Sequence, residues 1–166
     1  REGRALEILA EGDRLYMTHG GAQVPLEPAI EPENAFTILH PDYVHFALLF
    51  GSGSGSEAKG RFAEAGWGEK WFTTADYKGG QSFKVPDEWR SFAGHYRNED
   101  PWIGSARIVI RGGRLWLNGV VPLEPAPNGR FYLRDEPDNP EWVSFSDIVN
   151  GWAMRMRLSG ADLQRS

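Results

Sequence analysis

From residue 106 onward, apolar positions alternate with charged ones at the spacing of a half-buried strand. Ala106, Ile108 and Ile110 share one parity and Arg107 and Arg111 the other; Trp152, Met154, Met156 and Leu158 likewise oppose Arg155 and Arg157. Side chains two apart leave a strand on the same side, so each run predicts one face toward a core and one toward water. Gly112-Gly113, Asn118-Gly119, Asn128-Gly129 and Asn150-Gly151 punctuate the runs, and all tolerate the positive φ that tight hairpins demand. Adding the apolar runs at 92–98, 115–117, 121–124, 131–134, 143–145 and 162–165 predicts an antiparallel meander of about eight short strands. A sheet of that size closes to remove its edges, leaving an interior that side chains or one small ligand can fill.

The earlier half carries the same pattern. Val24-Pro25-Leu26-Glu27-Pro28-Ala29 recurs letter for letter as Val121-Pro122-Leu123-Glu124-Pro125-Ala126. Upstream, Gly12-Asp13-Arg14-Leu15-Tyr16-Met17 lies over Gly112-Gly113-Arg114-Leu115-Trp116-Leu117, and Leu6, Ile8 and Ala10 lie over Ala106, Ile108 and Ile110. Downstream, Ala35-Phe36 matches Arg130-Phe131, and Val44-His45-Phe46 matches Val143-Ser144-Phe145. The offset, about a hundred residues, is far above the roughly 20–50 of solenoids and propellers, so two similar small domains are expected. They span 1–78 and 89–166, and 79–88, with Gly79-Gly80 and Pro86, forms the linker. Nothing before Leu6 corresponds to 92–98, so the first barrel is expected to lack its first strand, either cut away or supplied from elsewhere. Arg1, in the middle of an apparent strand, points to a fragment of something longer. The Gly-Ser alternation at 51–56 reads as a flexible loop, natural or inserted.

Composition narrows the partner classes. With 40% apolar and 25% charged residues the chain can bury a core, and its net charge of −5 with no clustered basic patch argues against nucleic acid. No apolar run approaches a membrane span, and no signal-like start is visible. A soluble protein is expected, cytoplasmic or exported in a bacterial-type cell. The chain has no cysteine, which excludes disulfides and thiolate chemistry.

Gly94-His95-Tyr96-Arg97-Asn98-Glu99-Asp100-Pro101-Trp102, then Arg111-Gly112-Gly113-Arg114-Leu115, then Pro140-Glu141-Trp142-Val143-Ser144-Phe145, resembles the C-terminal region of β-lactamase-family serine hydrolases, the penicillin-binding-protein-like esterases and peptidases. That family pattern has Gly-His-Tyr-Arg followed by Asn-Pro-Trp, an Arg-x-Gly-x-Leu hairpin, and Pro-Glu before the next strand. Asp100 stands where the pattern has Asn, and both favour the turn. The stretch from Val44-His45-Phe46 through Gly66-Trp67 to Asp87-Glu88-Trp89 is similar to the region that precedes it in the family. The resemblance implies a non-catalytic, lipocalin-like appendage whose partner is a serine hydrolase domain of the same polypeptide.

The chain carries look-alikes of that family's catalytic motifs: Ser56-Glu57-Ala58-Lys59, Tyr96-Arg97-Asn98 and Lys78-Gly79-Gly80. Acylation needs the serine on a rigid helix turn facing an oxyanion hole, whereas Ser56 ends a Gly-Ser run, and the Lys-Gly element comes before the Tyr-x-Asn instead of after it. No catalytic residue is assigned. His40 and His45 have opposite parity and would leave a strand on opposite faces, so no metal is assigned either. Asp135, Glu136 and Asp138 read as a solvated acidic turn, without the paired geometry of a glycosidase. No cofactor is called for.

Seven tryptophans are the remaining hint. Ligand or interface candidates are Tyr16, Trp67, Trp71, His95, Tyr96, Arg97, Trp102 and Trp116. Aromatics at strand ends either plug barrels and anchor domain contacts or line a ligand-accepting mouth. Trp116 alternates away from Leu115 and Leu117, as Tyr16 does in the first copy, which places both on an outer face suited to packing on another domain. The sequence therefore predicts an all-β chain of two tandem lipocalin-like barrels, the first incomplete, serving as an accessory region of a serine hydrolase or mediating homo-oligomer contacts. The alternatives are an independent small-ligand carrier and, more weakly, an autonomous hydrolase using the look-alike motifs.

Overall fold

The computed structural model describes residues 5–51, 62–134 and 140–166. Two compact units divide the chain, Arg1–Gly80 and Gln81–Ser166. In the first, β1 (Ile8–Glu11), β2 (Arg14–His19), β3 (Ala22–Pro28), β4 (Ala35–Ile38), β5 (Leu48–Gly51), β6 (Glu64–Trp67) and β7 (Lys70–Thr73) form one antiparallel sheet in sequence order. Met17, Val24, Leu26, Ile38, Leu48, Phe50 and Ala65 make its core.

The second unit opens with α1 (Asp87–Phe92), followed by β8 (Gly94–Arg97), β9 (Ser105–Arg111), β10 (Arg114–Leu117), β11 (Val121–Ala126), β12 (Arg130–Leu133), β13 (Trp142–Val149), β14 (Trp152–Leu158) and β15 (Ala161–Arg165). Here β8 pairs with both β9 and β15 and closes an eight-stranded barrel. Tyr96, Ile108, Leu115, Leu123, Val143, Met156 and Leu163 fill it, and Trp89 and Phe92 of α1 pack against that core.

The two units share a pairing register. Leu15, Tyr16 and Met17 face Leu26, Pro25 and Val24; Leu115, Trp116 and Leu117 face Leu123, Pro122 and Val121. Ala10 opposes Leu15 as Ile110 opposes Leu115. Farther along, Phe36 pairs with Leu48 where Phe131 pairs with Val143, so the counterpart of Val143 is Leu48. The expected match with Val44 is corrected: Val44 follows a 3-10 turn at Pro41–Tyr43, in the connection before β5, and so belongs to no strand. Ala65 with Phe72 then matches Met156 with Leu163. Strands β1 to β7 thus correspond to β9 to β15, and among the described residues no strand corresponds to β8. The first unit is not a closed barrel but an open sheet curled into a half-barrel.

Three further expectations change. Residues 87–92 are helical, so the first strand of the barrel begins at Gly94; Asp87 and Glu88 in the first turn favour the helix N-terminus. Arg111, expected in solvent, is only 5% exposed. Its Nη2 donates to the Gly119 carbonyl at 2.8 Å and its guanidinium lies 4.3 Å from the centre of the Trp116 ring. In β14 the inward set changes parity, with Ala153 buried and Trp152 half exposed. Opposite this stretch Asp147 has φ +56°, a local kink that re-aims the side chains.

Candidate functional site

In the second unit β8 lies between Ser105–Ile108 of β9 on one side and Gln164 and Arg165 of β15 on the other. The corresponding rows of the first unit are residues 5–8 and Thr73-Thr74, and no described strand lies between them. The consequence is visible in the core: Leu163 is fully buried by its closed barrel, while its counterpart Phe72 is only half-buried. The inner face opens instead into a cleft of about 1100 Å³ lined by Leu6, Met17, Ile38, Leu48, Trp67 and Phe72, among others. Its lining is mainly apolar and aromatic, the make-up of a binding cleft.

Two predicted aromatics stand at this cleft. The Trp67 Nε1–H donates to the Phe46 carbonyl at 3.2 Å; its ring meets Tyr43 edge-on at 5.0 Å and carries the Lys70 Nζ 4.8 Å from its centre. The Trp71 Nε1–H donates to Glu64 Oε2 at 2.8 Å, and its ring packs edge-on against Tyr77. Tyr16 is half-buried on β2 between Leu9 and Pro25.

Beside Trp67 lies a polar cluster. His19, at the end of β2, has its Nδ1 2.6 Å from the Tyr43 hydroxyl and its Nε2 3.4 Å from Asp42 Oδ2. His40 begins the 3-10 turn, its Nδ1 accepting from the Asp42 backbone N–H at 3.2 Å and lying 3.8 Å from Asp42 Oδ2. The His19 and His40 rings are 5.1 Å apart, and each meets Tyr43 edge-on. Residues 40–45 turn instead of forming a strand, so strand parity does not separate their side chains, and His40 meets His19. His19 is not singled out from sequence, whereas Asp42 and Tyr43 lie inside the His40–His45 stretch weighed there for metal ligands. Only its identity as a donor could have signalled His19, because a pleat correlates neighbours and not residues on different elements.

The remaining predicted residues lie in the second unit and do not converge. His95 is half-buried, its Nδ1 2.9 Å from Ser166 Oγ. Tyr96 is wholly buried; its hydroxyl donates to the Phe92 carbonyl at 2.7 Å and lies 3.3 Å from that of Ala153. Burial pushes its pKa up to about 12 against the opposing effect of Arg165, so this phenol is held protonated and spoken for. Arg97 is exposed. Trp102 is 95% exposed on a turn where Asp100 Oδ1 accepts its backbone N–H at 2.9 Å. Trp116 is half-buried, its Nε1–H donating to the Arg111 carbonyl at 2.9 Å.

Of the catalytic look-alikes, Ser56 and Lys59 lie outside the described residues, as do Asp135, Glu136 and Asp138. Lys78-Gly79-Gly80 belongs to no strand. Among the described residues no helix is long and apolar enough to cross a membrane. Comparison with protein families, with curated proteins and with solved structures finds no match to this chain.

Proposed function

We propose that the chain is a non-catalytic accessory region of a β-lactamase-like serine hydrolase, packing on the catalytic domain and shaping access to it, with its units arising as duplicated lipocalin-like barrels. The observation that carries this reading is the half-barrel, which among the described residues has one strand fewer than the closed barrel of the second unit. Among the described residues β1 and β7 are the edge strands of the sheet, flanking an apolar cleft where the second unit has β8. An edge of that kind accepts an extended segment, main chain to main chain, with pockets for alternate side chains. The occupant is an extended strand of the polypeptide that carries the catalytic domain, presenting an inward aromatic as β8 presents Tyr96. The resemblance of Gly94–Trp102 and its following hairpins to the family's C-terminal pattern supplies the hydrolase.

The test uses a synthetic peptide with the sequence of residues 92–99 as a stand-in for the missing strand. On titration into the chain it is expected to protect the amides of residues 5–8 and 73–74 from hydrogen exchange and to change tryptophan emission. No protection at those edges overturns strand acceptance. In parallel, the chain should not turn over a nitrophenyl ester or a β-lactam. Turnover abolished by Ser56→Ala would overturn the accessory reading. The volume and aromatic lining of the cleft favour a second reading, an independent small-ligand carrier. Saturable binding of an apolar fluorophore that the peptide fails to displace would favour it.

A further inference from the structure

We propose that His19, His40 and Asp42 bind one divalent transition metal ion in a four-coordinate, zinc-type site at the rim of the first unit's cleft. This stands apart from the accessory role and rests on geometry alone.

Two imidazoles and one carboxylate are a donor set suited to zinc, leaving a fourth position to water or an anionic ligand. Their spacing is that of ligands to a common ion. A tetrahedral site with bonds of about 2.0–2.1 Å separates its donor atoms by about 3.3–3.4 Å, whereas octahedral neighbours lie about 2.9–3.0 Å apart. His19 Nε2 and Asp42 Oδ2 are 3.4 Å apart, His40 Nδ1 and Asp42 Oδ2 are 3.8 Å apart, and all three donors fall within 4.8 Å. Those gaps exceed the 2.7–3.2 Å range of N–H···O hydrogen bonds, so neither imidazole holds the carboxylate by a proton. The Asp42 gaps need shifts of only a few tenths of an ångström, and the His19–His40 gap, within 4.8 Å, closes with side-chain movements approaching an ångström.

The surroundings fit as well. A metal-binding imidazole ordinarily donates its second ring N–H to an oxygen, fixing the tautomer. The Tyr43 hydroxyl occupies that place, 2.6 Å from His19 Nδ1, and the opposite nitrogen faces Asp42. Metal on Nε2 puts the His19 proton on Nδ1, donating to the Tyr43 oxygen. His40 and Asp42 share one short turn closed by the Tyr43 N–H to the His40 carbonyl at 3.0 Å and begun by Pro41. Coordination by His40 Nδ1 takes over the lone pair that now accepts the Asp42 N–H; Asp42 is exposed, so that N–H passes to water.

The experiment is titration of the whole chain with zinc chloride by calorimetry and with cobalt(II) by visible absorption. One ion per chain and the intense d–d bands of four-coordinate cobalt are expected. His19→Ala and Asp42→Asn should each weaken binding at least a hundredfold, Tyr43→Phe about 10–100-fold through the second ring nitrogen, and His45→Ala not at all. Far-ultraviolet circular dichroism of each variant separates lost binding from lost folding, and the near-isosteric Asp42→Asn keeps the test valid if His19→Ala unfolds. Absence of stoichiometric binding to the folded wild-type chain, or binding that survives both His19→Ala and Asp42→Asn, overturns the site.

Discussion

Tyr96 keeps a phenol inside the barrel because two backbone carbonyls receive it, and the same burial makes its ionisation costly. With a pKa near 12 in the folded chain and 10.0 ordinarily, the folded state holds this proton more tightly than the unfolded one. Its contribution is therefore fully present below about pH 10 and is lost as the pH rises toward about 12. Urea denaturation should show wild-type stability falling relative to Tyr96→Phe across that window; a constant difference would mean the phenol ionises freely. Trp116 illustrates a different limit. Its alternation with Leu115 and Leu117 correctly placed it off the core, but Arg111 lies beneath it, and periodicity cannot foresee which long side chain bends over a neighbour. Tyr16, between Leu9 and Pro25 on the equivalent face, is flanked by no such arginine on those partners. Trp116→Ala should cost about 1–2 kcal/mol, above the roughly 0.5 of ordinary surface changes and below the roughly 3–5 of a core tryptophan. Denaturation of the whole chain, followed by exchange in β9 and β10, measures it.

At the scale of elements, local signals were the legible ones. Each hairpin needs its turn chemistry within four residues, so the Gly-Gly and Asn-Gly pairs mark the turns that join β9 to β12 and β13 to β14 in the sequence alone. In the structure Asn150 and Gly151 have φ of +50° and +80°, as a tight hairpin with right-handed strand twist requires. A Cβ at Gly151 would meet nothing within 4 Å, leaving backbone strain as the cost of Gly151→Ala, about 1 kcal/mol or somewhat more. A loss much larger than that in thermal unfolding would mean the turn does more than join β13 to β14. Helix α1 was not legible because its six residues complete fewer than two turns and its apolar Trp89 and Phe92 also suit the start of a strand. The His19–His40–Asp42 cluster was not legible either, since it depends on β2 and the 3-10 turn meeting across the sheet, a contact no local period encodes.

On the scale of the chain, the two units differ among the described residues by one strand. The repeat made that absence readable from sequence, and the structure adds its consequence: residues whose counterparts are buried in the second unit, Leu6, Ile8 and Phe72, are only half-buried in the first. Hydrophobic stabilisation scales with apolar area removed from water, so the first unit forgoes part of what its sequence could bury. The first unit should therefore open at lower denaturant than the second. Hydrogen exchange followed by peptide mass analysis is the direct readout, because it assigns opening to segments that a whole-chain signal averages. Peptides from β13 and β14 should exchange slowest, and those covering 5–8 and 70–74 fastest among the strands. Adding the 92–99 peptide should raise protection in the first unit alone, in proportion to the logarithm of its concentration above its dissociation constant, as for any ligand that binds only the folded form. Equal protection of both units without peptide would mean that closure by an eighth strand contributes little, and the half-barrel would then be a finished domain instead of an acceptor.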